Sequence, residues 1–433
     1  MGGKTQSGEK VQGKGRQAMR APATTTEPSP PEPSSPLSRA PAMRDCASGA
    51  SGASGTLATS TVATLVVDLV AVADNWRRLQ ARVGPATCAA VVKADAYGLG
   101  AGPVATALWA AGCREFFVAH LEEGIALRAA LPEAGIACLG GLLPGMAAAY
   151  RAARITPVLN HLGEIALWRQ HCAATELAQP AMIHLDTGMN RLGLGDDERQ
   201  RLAAEPERLA GIPVLAWLSH LACADVPAHP LNVRQRDGFA RALGSLPPAP
   251  RSLANSSGIY LGREWHFDLV RPGCALYGIN PTPEAANPLA GVVQVLAPIL
   301  QVRTVRPGAI DSPATVGYGA AHPITRPTRI ATLGIGYADG YLRSLGGQGQ
   351  VWINGQPAAV VGRVSMDLVT VDVSGIGGFP EPEAMVGHLA TVLGPPRPVD
   401  QVAAEAGTIG YEILTALGRR YHRRYWPEPE AAL

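Results

Sequence analysis

The sequence has few cysteines, and their placement argues against a disulfide framework. Seven cysteines are spread singly over 433 residues, and no two form a C-x-x-C pair. Cys88 and Cys138 sit within apolar runs, where a thiol packs as a small hydrophobic group. Because scattered cysteines in odd number are typical of a reducing compartment, the pattern indicates a cytoplasmic protein without disulfides or structural zinc. We predict no metal site.

Long apolar runs and an excess of one charge are also absent. No stretch approaches the roughly 18 consecutive apolar residues of a transmembrane helix, so no membrane association is expected. The formal net charge is +2 and hides an asymmetry. Residues 1–60 carry seven Lys or Arg against four Asp or Glu, whereas the rest of the chain carries 30 against 31. The body of the protein therefore shows no basic footprint for nucleic acid.

Residues 1–60 lack the side chains that build a core. They contain Val11 but no other Val and no Trp, Tyr, Phe or Ile, and small residues and Pro dominate. Such a segment buries too little apolar surface to order itself, and it has no apolar region typical of a secretory signal. We predict a disordered extension. This prediction is also compatible with translation that starts at Met19 or Met43. A targeting role is the alternative.

Between residues 61 and 292, short apolar runs alternate with stretches rich in Ala, Leu and Arg. This alternation is typical of a parallel sheet covered by helices, and eight such units predict an α/β fold, a closed (β/α)8 barrel of TIM type. An open flavodoxin-like sheet is the alternative. The predicted strands are 88–93, 116–119, 136–140, 156–160, 182–186, 214–220, 252–255 and 268–271.

Residues 293–433 consist of short β-prone runs separated by Gly, Pro and Asn-Gly turns. This pattern predicts a mostly β C-terminal domain with a hairpin at Asn354-Gly355, followed by a helical stretch over 399–417. The predicted strands are 295–305, 328–335, 350–353, 358–364, 369–373 and 388–393.

Two motifs supply groups that can move protons. In Val-Val-Lys-Ala-Asp-Ala-Tyr-Gly, Lys93 ends a β-branched run, and a lysine held partly out of water can lose its proton and attack an aldehyde to form a Schiff base. In Gly-Tyr-Ala-Asp-Gly-Tyr, Tyr337 offers a second proton-transfer group from a distant part of the chain. Two such groups on opposite faces of a planar adduct can invert a stereocentre.

The carboxyl ends of the predicted barrel strands gather further polar residues. In barrels of this type the active site lies at that end, and phosphate is commonly bound after strands seven and eight. We therefore predict a site for a phosphorylated aromatic cofactor there. Its residues, in strand order, are Lys93, Arg191, His220, Asn255 with Ser256, and Arg271 with Gly273 and Cys274.

A set of motifs in this order resembles the alanine racemases. They are Lys93 with Tyr97, the Asp-Thr-Gly-Met-Asn-Arg-Leu-Gly of residues 186–193, Tyr337, and the Ser-Met-Asp of residues 365–367. The resemblance runs from about residue 63 to about residue 425. It implies a pyridoxal 5′-phosphate enzyme that interconverts L-alanine and D-alanine, works as a homodimer, and supplies D-alanine for peptidoglycan or catabolises one enantiomer.

The resemblance also implies roles for individual residues. Lys93 would hold the cofactor and serve as the base on one face, and Tyr337 would serve on the other. Arg271 would donate to the pyridine nitrogen. Because an arginine keeps its proton, the ring would be a weak electron sink, which favours quick reprotonation. His220 and Arg271 would supply the positive surroundings that favour Tyr337 as a base.

Other roles concern binding. Tyr97 and Tyr411 would hold the phosphate, and Arg191 would hold the phenolic oxygen and the substrate carboxylate. Met366 would present its backbone N–H to that carboxylate. Because Tyr337 and Met366 belong to the β domain, they would reach the site from the partner subunit. Residues that match the family's substrate access path are Asp225, Arg363 and Ile409.

Two positions depart from the family pattern. His184 stands where many relatives have a lysine, often carbamylated, that orients the arginine corresponding to Arg191. A histidine cannot form that carbamate, so Arg191 must be oriented otherwise. Leu99 stands where a histidine commonly follows Ala-Tyr-Gly. Neither departure removes a catalytic group.

Other activities are compatible with the barrel. A decarboxylase is disfavoured by Arg271, because decarboxylation benefits from a protonated pyridine paired with a carboxylate. A non-catalytic carrier of the cofactor would resemble the barrel alone, without the β domain. A racemase of broader specificity in the periplasm would be expected to carry a secretory signal.

Overall fold

The structure is a computed structural model that describes residue 58 and residues 60–428. The predicted disordered extension over residues 1–60 lies outside this part of the chain, except for Ala58 and Ser60. Strand β1 (Thr64–Asp68) is followed directly by helix α1 (Leu69–Val83). Asp68 ends the strand and caps the helix, because its side chain accepts a hydrogen bond from the Ala71 amide at 2.9 Å.

A ring of short parallel strands forms the first sheet. Its strands are β2 (Thr87–Cys88), β3 (Ala90–Val91), β4 (Glu115–Val118), β5 (Gly135–Cys138), β6 (Thr156–Leu159), β7 (Ala181–His184), β8 (Val214–Leu218), β9 (Arg251–Ser252) and β10 (Leu269–Val270). Only Ala89 separates β2 from β3, so the two segments together are the first of eight barrel strands. Strands β3 to β9 pair in chain order, and β10 pairs with β2. Backbone hydrogen bonds from Asp268 N to Arg251 O at 3.0 Å and from Arg271 N to Ala254 O at 2.9 Å join β9 to β10. The predicted (β/α)8 barrel is confirmed, and the open flavodoxin-like sheet is excluded.

Helices surround this barrel on its outer side. The segment α2 (Lys93–Gly98) is instead a left-handed turn at the carboxyl end of β3. The outer helices are α3 (Ala101–Ala111), α4 (Leu121–Ala130), α5 (Ala147–Ala152), α6 (Leu162–Thr175), α7 (Asp196–Ala204) and α8 (Pro230–Leu243). After β9 and β10, short 3-10 turns stand where an α-helix would follow. Among the residues described, no helix is both long and apolar enough to cross a membrane.

Alternate residues of the barrel strands point in opposite directions. Val91, Phe117, Met182 and Leu218 pack together inside the barrel with small residues such as Ala137. Their neighbours along each strand pack outward against the helices. The interior is therefore a filled core, and polar residues are left for the ends of the strands.

Residues beyond 292 form a second, mostly antiparallel sheet. This part of the chain contains β11 (Val293–Val305), β12 (Thr315–Val316), β13 (His322–Pro323), β14 (Thr328–Leu333), β15 (Gln350–Ile353), β16 (Gln356–Val360), β17 (Val369–Asp372), β18 (Leu389–Leu393), α9 (Val399–Ala406), α10 (Gly410–Ala416) and β19 (His422–Trp426). Strands β12 and β13 pair with each other in a separate two-stranded sheet. The strand order is β14-β17-β16-β15-β18-β11, and β14 also pairs with β11, so this part closes on itself. The predicted strands each overlap one of these, and Gly407 divides the predicted helical stretch in two.

The predicted hairpin at Asn354-Gly355 is confirmed. Ile353 pairs with Gln356, and the two residues between them have φ values of 49° and 73°. Positive φ at both positions is typical of a type I′ turn, which matches the twist of the flanking strands.

Sequence analysis missed two strands of the second sheet. Strand β1 pairs antiparallel with β11 and parallel with β19, so the segment before the barrel and the Arg-rich end of the chain are neighbours. The predicted boundary at residue 61 assigned Thr64–Asp68 to the barrel half, whereas its pairing partners belong to the second sheet. The domain limits 61–292 and 293–433 otherwise stay predictions.

Asn75 of α1 ties the barrel to the segment that leads into the second sheet. Its side chain is fully buried. The Nδ2 group donates to Leu276 O at 3.2 Å and to Ala290 O at 2.9 Å, and Oδ1 accepts from Ala290 N at 2.9 Å. One amide thus satisfies three backbone groups at a place that water does not reach.

We expect Asn75→Ala to lower the free energy of unfolding by about 2–4 kcal/mol, because the backbone groups of Leu276 and Ala290 are left buried without partners. Urea unfolding at fixed protein concentration measures the difference. Asp74→Ala on the same helix removes a solvent-facing pair with Arg77 and should change stability by less than about 0.5 kcal/mol. An equal loss in the two variants would contradict the role given to Asn75.

Candidate active site

A cavity of about 550 Å³ opens at the carboxyl ends of the barrel strands. Its apolar lining includes Val91, Val158 and Leu218, which belong to the barrel interior. Every cofactor-binding residue predicted from the sequence lines this one cavity, namely Lys93, Tyr97, Arg191, His220, Asn255, Ser256, Arg271, Gly273, Cys274 and Tyr411. The fold therefore brings together residues from six separate stretches of the chain.

Lys93 begins a left-handed turn that follows β3. Ala94, Asp95, Ala96 and Tyr97 all have φ between 53° and 57°. Residues with a Cβ avoid this conformation, which costs about 1–2 kcal/mol for each of them. Contacts with neighbouring elements must therefore hold the turn.

Two such contacts lie at the end of the turn. The Asp95 carboxylate accepts a hydrogen bond from Ala101 N at 2.7 Å, at the start of α3. Gly98 continues the turn with φ 84°, and a Cβ on it would stand 2.5 Å from Leu414 O in α10. Only glycine allows this approach, so the turn packs directly on the helix from the second half of the chain.

Tyr277 supports the turn from below, and sequence analysis missed it. Its hydroxyl donates to Val91 O at 2.9 Å, and its ring lies 4.7 Å from the ring of Tyr97. It is fully buried. In the sequence, Tyr277 is a tyrosine in the apolar run Cys-Ala-Leu-Tyr-Gly, which is typical of ordinary core. Its hydrogen bond to Val91 of β3 is visible only in the structure.

The surroundings lower the pKa of the Lys93 amine. Burial contributes most, and the positive charge of Arg191 acts in the same direction, whereas the Glu123 carboxylate opposes it. Both leading causes favour the neutral amine, which is the form that attacks an aldehyde or accepts a proton.

Arg271 is buried, and both of its terminal nitrogens are hydrogen-bonded on the barrel side. Its Nη2 donates to Ser219 O at 2.6 Å and lies 3.5 Å from His220 Nδ1, while Nη1 donates to the Ser252 hydroxyl. Burial lowers the pKa of Arg271 to about 10, so the guanidinium stays protonated at neutral pH. Burial, followed by the charges of Arg271 and Arg191, lowers the pKa of His220 to about 3, so this imidazole is neutral.

Donors suited to a phosphate gather after β9 and β10. The Ser256 hydroxyl accepts the N–H of Gly273 at 3.0 Å and of Ala275 at 3.2 Å, and as a hydroxyl it also carries a proton that it can donate. A side chain on Gly273 would collide with the Tyr97 hydroxyl, so glycine lets that hydroxyl and the backbone approach the same ligand.

Two more predicted residues complete this region. The Tyr411 hydroxyl donates to the Cys274 thiol at 2.8 Å, and its ring lies 6.0 Å from that of Tyr97. Burial raises the pKa of the phenols of Tyr97 and Tyr411, so both remain hydrogen-bond donors. Asn255 uses its side chain to accept the Gly258 N–H at 2.9 Å, which orders the loop around Ser256.

His184 and Arg191 lie on the opposite side of the cavity. The imidazole Nδ1 of His184 is 2.9 Å from Asn160 Oδ1, and burial, with the charge of Arg271 next, lowers the pKa of His184 to about 4. Because an amide oxygen only accepts, Nδ1 carries the proton and Nε2 is an acceptor. Arg191 is exposed at the rim.

Tyr337 and Met366 lie side by side in the second half of the chain, outside the cavity. Tyr337 N donates to Ser365 O at 3.0 Å, and Ala338 N donates to Met366 O at 3.0 Å. They expose 43% and 53% of their surfaces. Within one chain, Tyr337 and Met366 therefore lie next to each other, but neither lines the cavity that contains Lys93.

The remaining predicted positions lie elsewhere. Asp225, Arg363 and Ile409 are exposed, and none of them lines the cavity. Leu99 is fully buried, and its carbonyl accepts a hydrogen bond from the Tyr425 hydroxyl at 3.1 Å. Its side chain thus belongs to the core behind the left-handed turn.

Comparison with known proteins identifies the family. The sequence profile of the alanine racemase N-terminal domain matches residues 67–281, and that of the C-terminal domain matches residues 292–425. The chain belongs to the alanine racemase family. The alanine racemase of Rhodospirillum rubrum is 49% identical over 363 residues, which cover 83% of this chain and 95% of the relative. A catabolic alanine racemase of Agrobacterium fabrum is 44% identical over 362 residues, which cover 83% of this chain and 91% of the relative.

Solved alanine racemase structures share the fold. The enzyme of Bartonella henselae, with covalently bound pyridoxal phosphate, is 40% identical with a TM-score of 0.80 and covers 84% of this chain and 100% of its own. The biosynthetic alanine racemase of Pseudomonas aeruginosa is 34% identical with a TM-score of 0.76, over 84% of this chain and 99% of its own. The alanine racemase fold therefore extends over nearly all of the described residues.

A buried neutral histidine makes stability depend on pH. The pKa of His220 is about 3 in the folded chain, against an ordinary value of about 6.5 when unfolded. Between these values the unfolded chain binds more protons, so this contribution to stability is complete above about pH 6.5 and falls as the pH is lowered toward about 3. We expect His220→Asn to reduce the pH slope of the unfolding free energy in this window by up to about 1.4 kcal/mol per pH unit.

Urea unfolding at a series of pH values measures this slope. His422→Asn, which removes an exposed histidine of β19, is the control. If wild type and His220→Asn had the same slope between about pH 6.5 and pH 4, the neutral buried state of His220 would be wrong.

Proposed function

We propose that this protein is a pyridoxal 5′-phosphate-dependent alanine racemase that interconverts L-alanine and D-alanine by a two-base mechanism. The observation that carries the proposal is the single cavity that holds the desolvated Lys93 amine, the buried Arg271 guanidinium and the donors of Ser256 and Tyr97. Membership of the alanine racemase family supports it.

The chemistry of the cavity fits this cofactor. Its residues offer an amine for the aldehyde, an arginine for the ring nitrogen and hydroxyl and backbone donors for the phosphate. Lys93 would hold the cofactor covalently, Arg271 would donate to the ring nitrogen, and Arg191 would hold the phenolic oxygen. The phosphate would be bound by Tyr97, Ser256, Tyr411 and the backbone of Gly273 and Cys274, with Asn255 and His220 in supporting positions. When bound, the cofactor acidifies the Cα proton of an amino acid.

Arg271 would favour racemisation over other outcomes. Its guanidinium is held by Ser219, Ser252 and His220 and stays protonated at neutral pH. An arginine donates a hydrogen bond without surrendering the proton, which limits electron withdrawal by the ring. Weak withdrawal favours rapid return of a proton to Cα and disfavours decarboxylation.

Lys93 would exchange a proton at Cα on one face, and Tyr337 would do so on the other. Tyr337 lies outside the cavity of its own chain and on the surface. We therefore propose a homodimer in which Tyr337 of each subunit serves the other subunit's site. Met366, adjacent to Tyr337, would present its backbone N–H to the substrate carboxylate together with Arg191 of the site. Asp225, Arg363 and Ile409 would line the substrate's path.

The role in the cell follows from the product. We propose that the enzyme works in the cytoplasm and supplies D-alanine for peptidoglycan. Scattered free cysteines support a reducing compartment, since six lie unpaired in the described part of the chain. Catabolism of one enantiomer is the alternative role, and the similarity to a catabolic alanine racemase of Agrobacterium fabrum favours keeping it. Growth of a deletion strain with and without D-alanine would distinguish the two.

Proton NMR of L-alanine in D2O with the purified enzyme and added pyridoxal phosphate tests the activity. We expect the Cα proton signal to disappear while chiral analysis shows D-alanine, because protons leave and return on both faces. Lys93→Ala should abolish both effects. Exchange without inversion would show that one base acts alone and that Tyr337 is misplaced. If the Cα proton signal stays and the product is still L-alanine, the assignment of alanine as the substrate is wrong.

Mixing two inactive variants tests the shared site. Subunits that carry Lys93→Ala keep Tyr337, and subunits that carry Tyr337→Phe keep Lys93. If each site combines residues of both subunits, random 1:1 mixing should restore about a quarter of the wild-type sites. Each variant alone, taken through the same unfolding and refolding, is the control. Activity of the mixture no higher than that of the separate variants would contradict the proposed exchange.

A further inference from the structure

Three barrel helices carry a glutamate at their third residue, and each glutamate binds backbone outside its own helix. Glu164 of α6 accepts from Asn160 N at 2.7 Å, just after β6. Glu198 of α7 accepts from Leu162 N at 3.0 Å, at the start of α6. Glu123 of α4 belongs to the same set. These carboxylates join each helix start to a connection nearby, where unpaired N–H groups need acceptors.

Glu123 differs from the other two in what it binds. Its Oε2 accepts from Ala119 N at 2.7 Å and from His120 N at 3.3 Å, at the end of β4. Its Oε1 accepts from Ala94 N at 2.8 Å. Ala94 is the residue after Lys93 and the first left-handed residue of the turn. One carboxylate therefore bridges the ends of the first two barrel strands at the residue next to the reactive amine.

The Glu123 carboxylate holds the left-handed turn at its first residue, Ala94. The left-handed conformation of Ala94, Asp95, Ala96 and Tyr97 is unfavourable, so without outside contacts the turn would relax. Asp95, Gly98 and Tyr97 secure its far end, as described above. Among the hydrogen bonds found for the described residues, the bond to Glu123 is the side-chain contact at its near end, where Lys93 leaves the strand.

We propose that Glu123 is a positioning residue for Lys93, because its carboxylate fixes the first residue of the left-handed turn against the end of β4 and so sets where the Lys93 amine stands in the cavity. The proposal rests on the proposed function in assigning the covalent and proton-transfer work to Lys93. Glu123 does not line the cavity and positions Lys93 through the backbone. Its charge also raises the pKa of Lys93, so removing that charge favours the neutral amine and cannot by itself slow its reaction with an aldehyde.

Replacing Glu123 with glutamine changes the hydrogen-bonding groups of the side chain but keeps its size. The two Glu123 oxygens both face N–H donors, whereas a glutamine offers one oxygen and one NH2 group. Glu123→Gln therefore keeps the volume but must place a donor against Ala94 N or Ala119 N. Glu198→Gln makes the same substitution at a helix start that carries no cavity residue, where one carboxylate oxygen accepts from Leu162 N. Glu122→Gln removes a neighbouring exposed charge from the first turn of α4.

Two measurements test the proposal on the full-length enzyme. Hydrogen exchange of the peptide that contains Ala94 should speed up about tenfold in Glu123→Gln, the loss expected for one hydrogen bond to a charged group. Capture of pyridoxal phosphate by cofactor-depleted enzyme, followed by borohydride reduction and mass analysis of the Lys93 peptide, should slow by at least about tenfold. Glu198→Gln and Glu122→Gln should leave both rates within about twofold of wild type. Thermal unfolding of all variants detects a general loss of fold.

The outcomes are distinct. Glu123→Gln could speed hydrogen exchange at Ala94 but leave both the rate of cofactor capture and the kcat/KM for L-alanine unchanged. That result would overturn the proposal and leave Glu123 as a helix cap. Equal slowing of capture in Glu198→Gln would also overturn it, because a general effect on the barrel would then explain the result. Wild-type enzyme that captures the cofactor at Lys93 but does not racemise alanine would contradict the proposed function and leave the role of Glu123 intact.

Discussion

The left-handed turn after β3 is the constraint on which the rest of the site depends. It points Lys93 into the cavity, and its four left-handed residues are stable only because other elements hold them. Tyr277 supports it from the barrel, Leu414 of α10 closes on Gly98, and Glu123 binds its first amide. The reactive residue is thus placed by contacts from three separate stretches of the chain.

Charge in the cavity is arranged for an anionic ligand. Arg271 is protonated and buried, and Arg191 stands at the rim. His184 and His220 are neutral, with pKa values of about 4 and about 3. Because both imidazoles are neutral, they add no positive charge to the cavity. Arg271 and Arg191 remain charged hydrogen-bond donors of the cavity. An anionic ligand in the cavity would offset the positive charge of these two arginines, which links ligand binding to the stability of the cavity.

Sequence analysis predicted most of the fold because the barrel strands are continuous apolar runs that end in chemically distinctive residues such as Lys93 and Arg271. It missed β1 and β19, since their identity as partners depends on pairing across nearly the whole chain. The run Thr64–Asp68 resembles a barrel strand, and β19 is mostly polar. The left-handed turn could not be predicted either, because alanine favours right-handed conformations. From the sequence alone, Tyr277 is indistinguishable from a core residue and Glu123 from a helix cap. Their contacts with the turn become visible only in the three-dimensional arrangement of the strands.

The pairing of β1 with β11 and β19 has a consequence during protein synthesis. Strand β1 is among the first described elements to leave the ribosome, yet β19 is the last. The barrel strands from β2 to β10 can assemble while β1 still lacks both neighbours, and the unpaired edges of β1 must be kept from other chains until β19 has been synthesised. A nascent chain cut short before residue 422 would keep that edge open, so premature termination exposes an aggregation-prone strand far from the break.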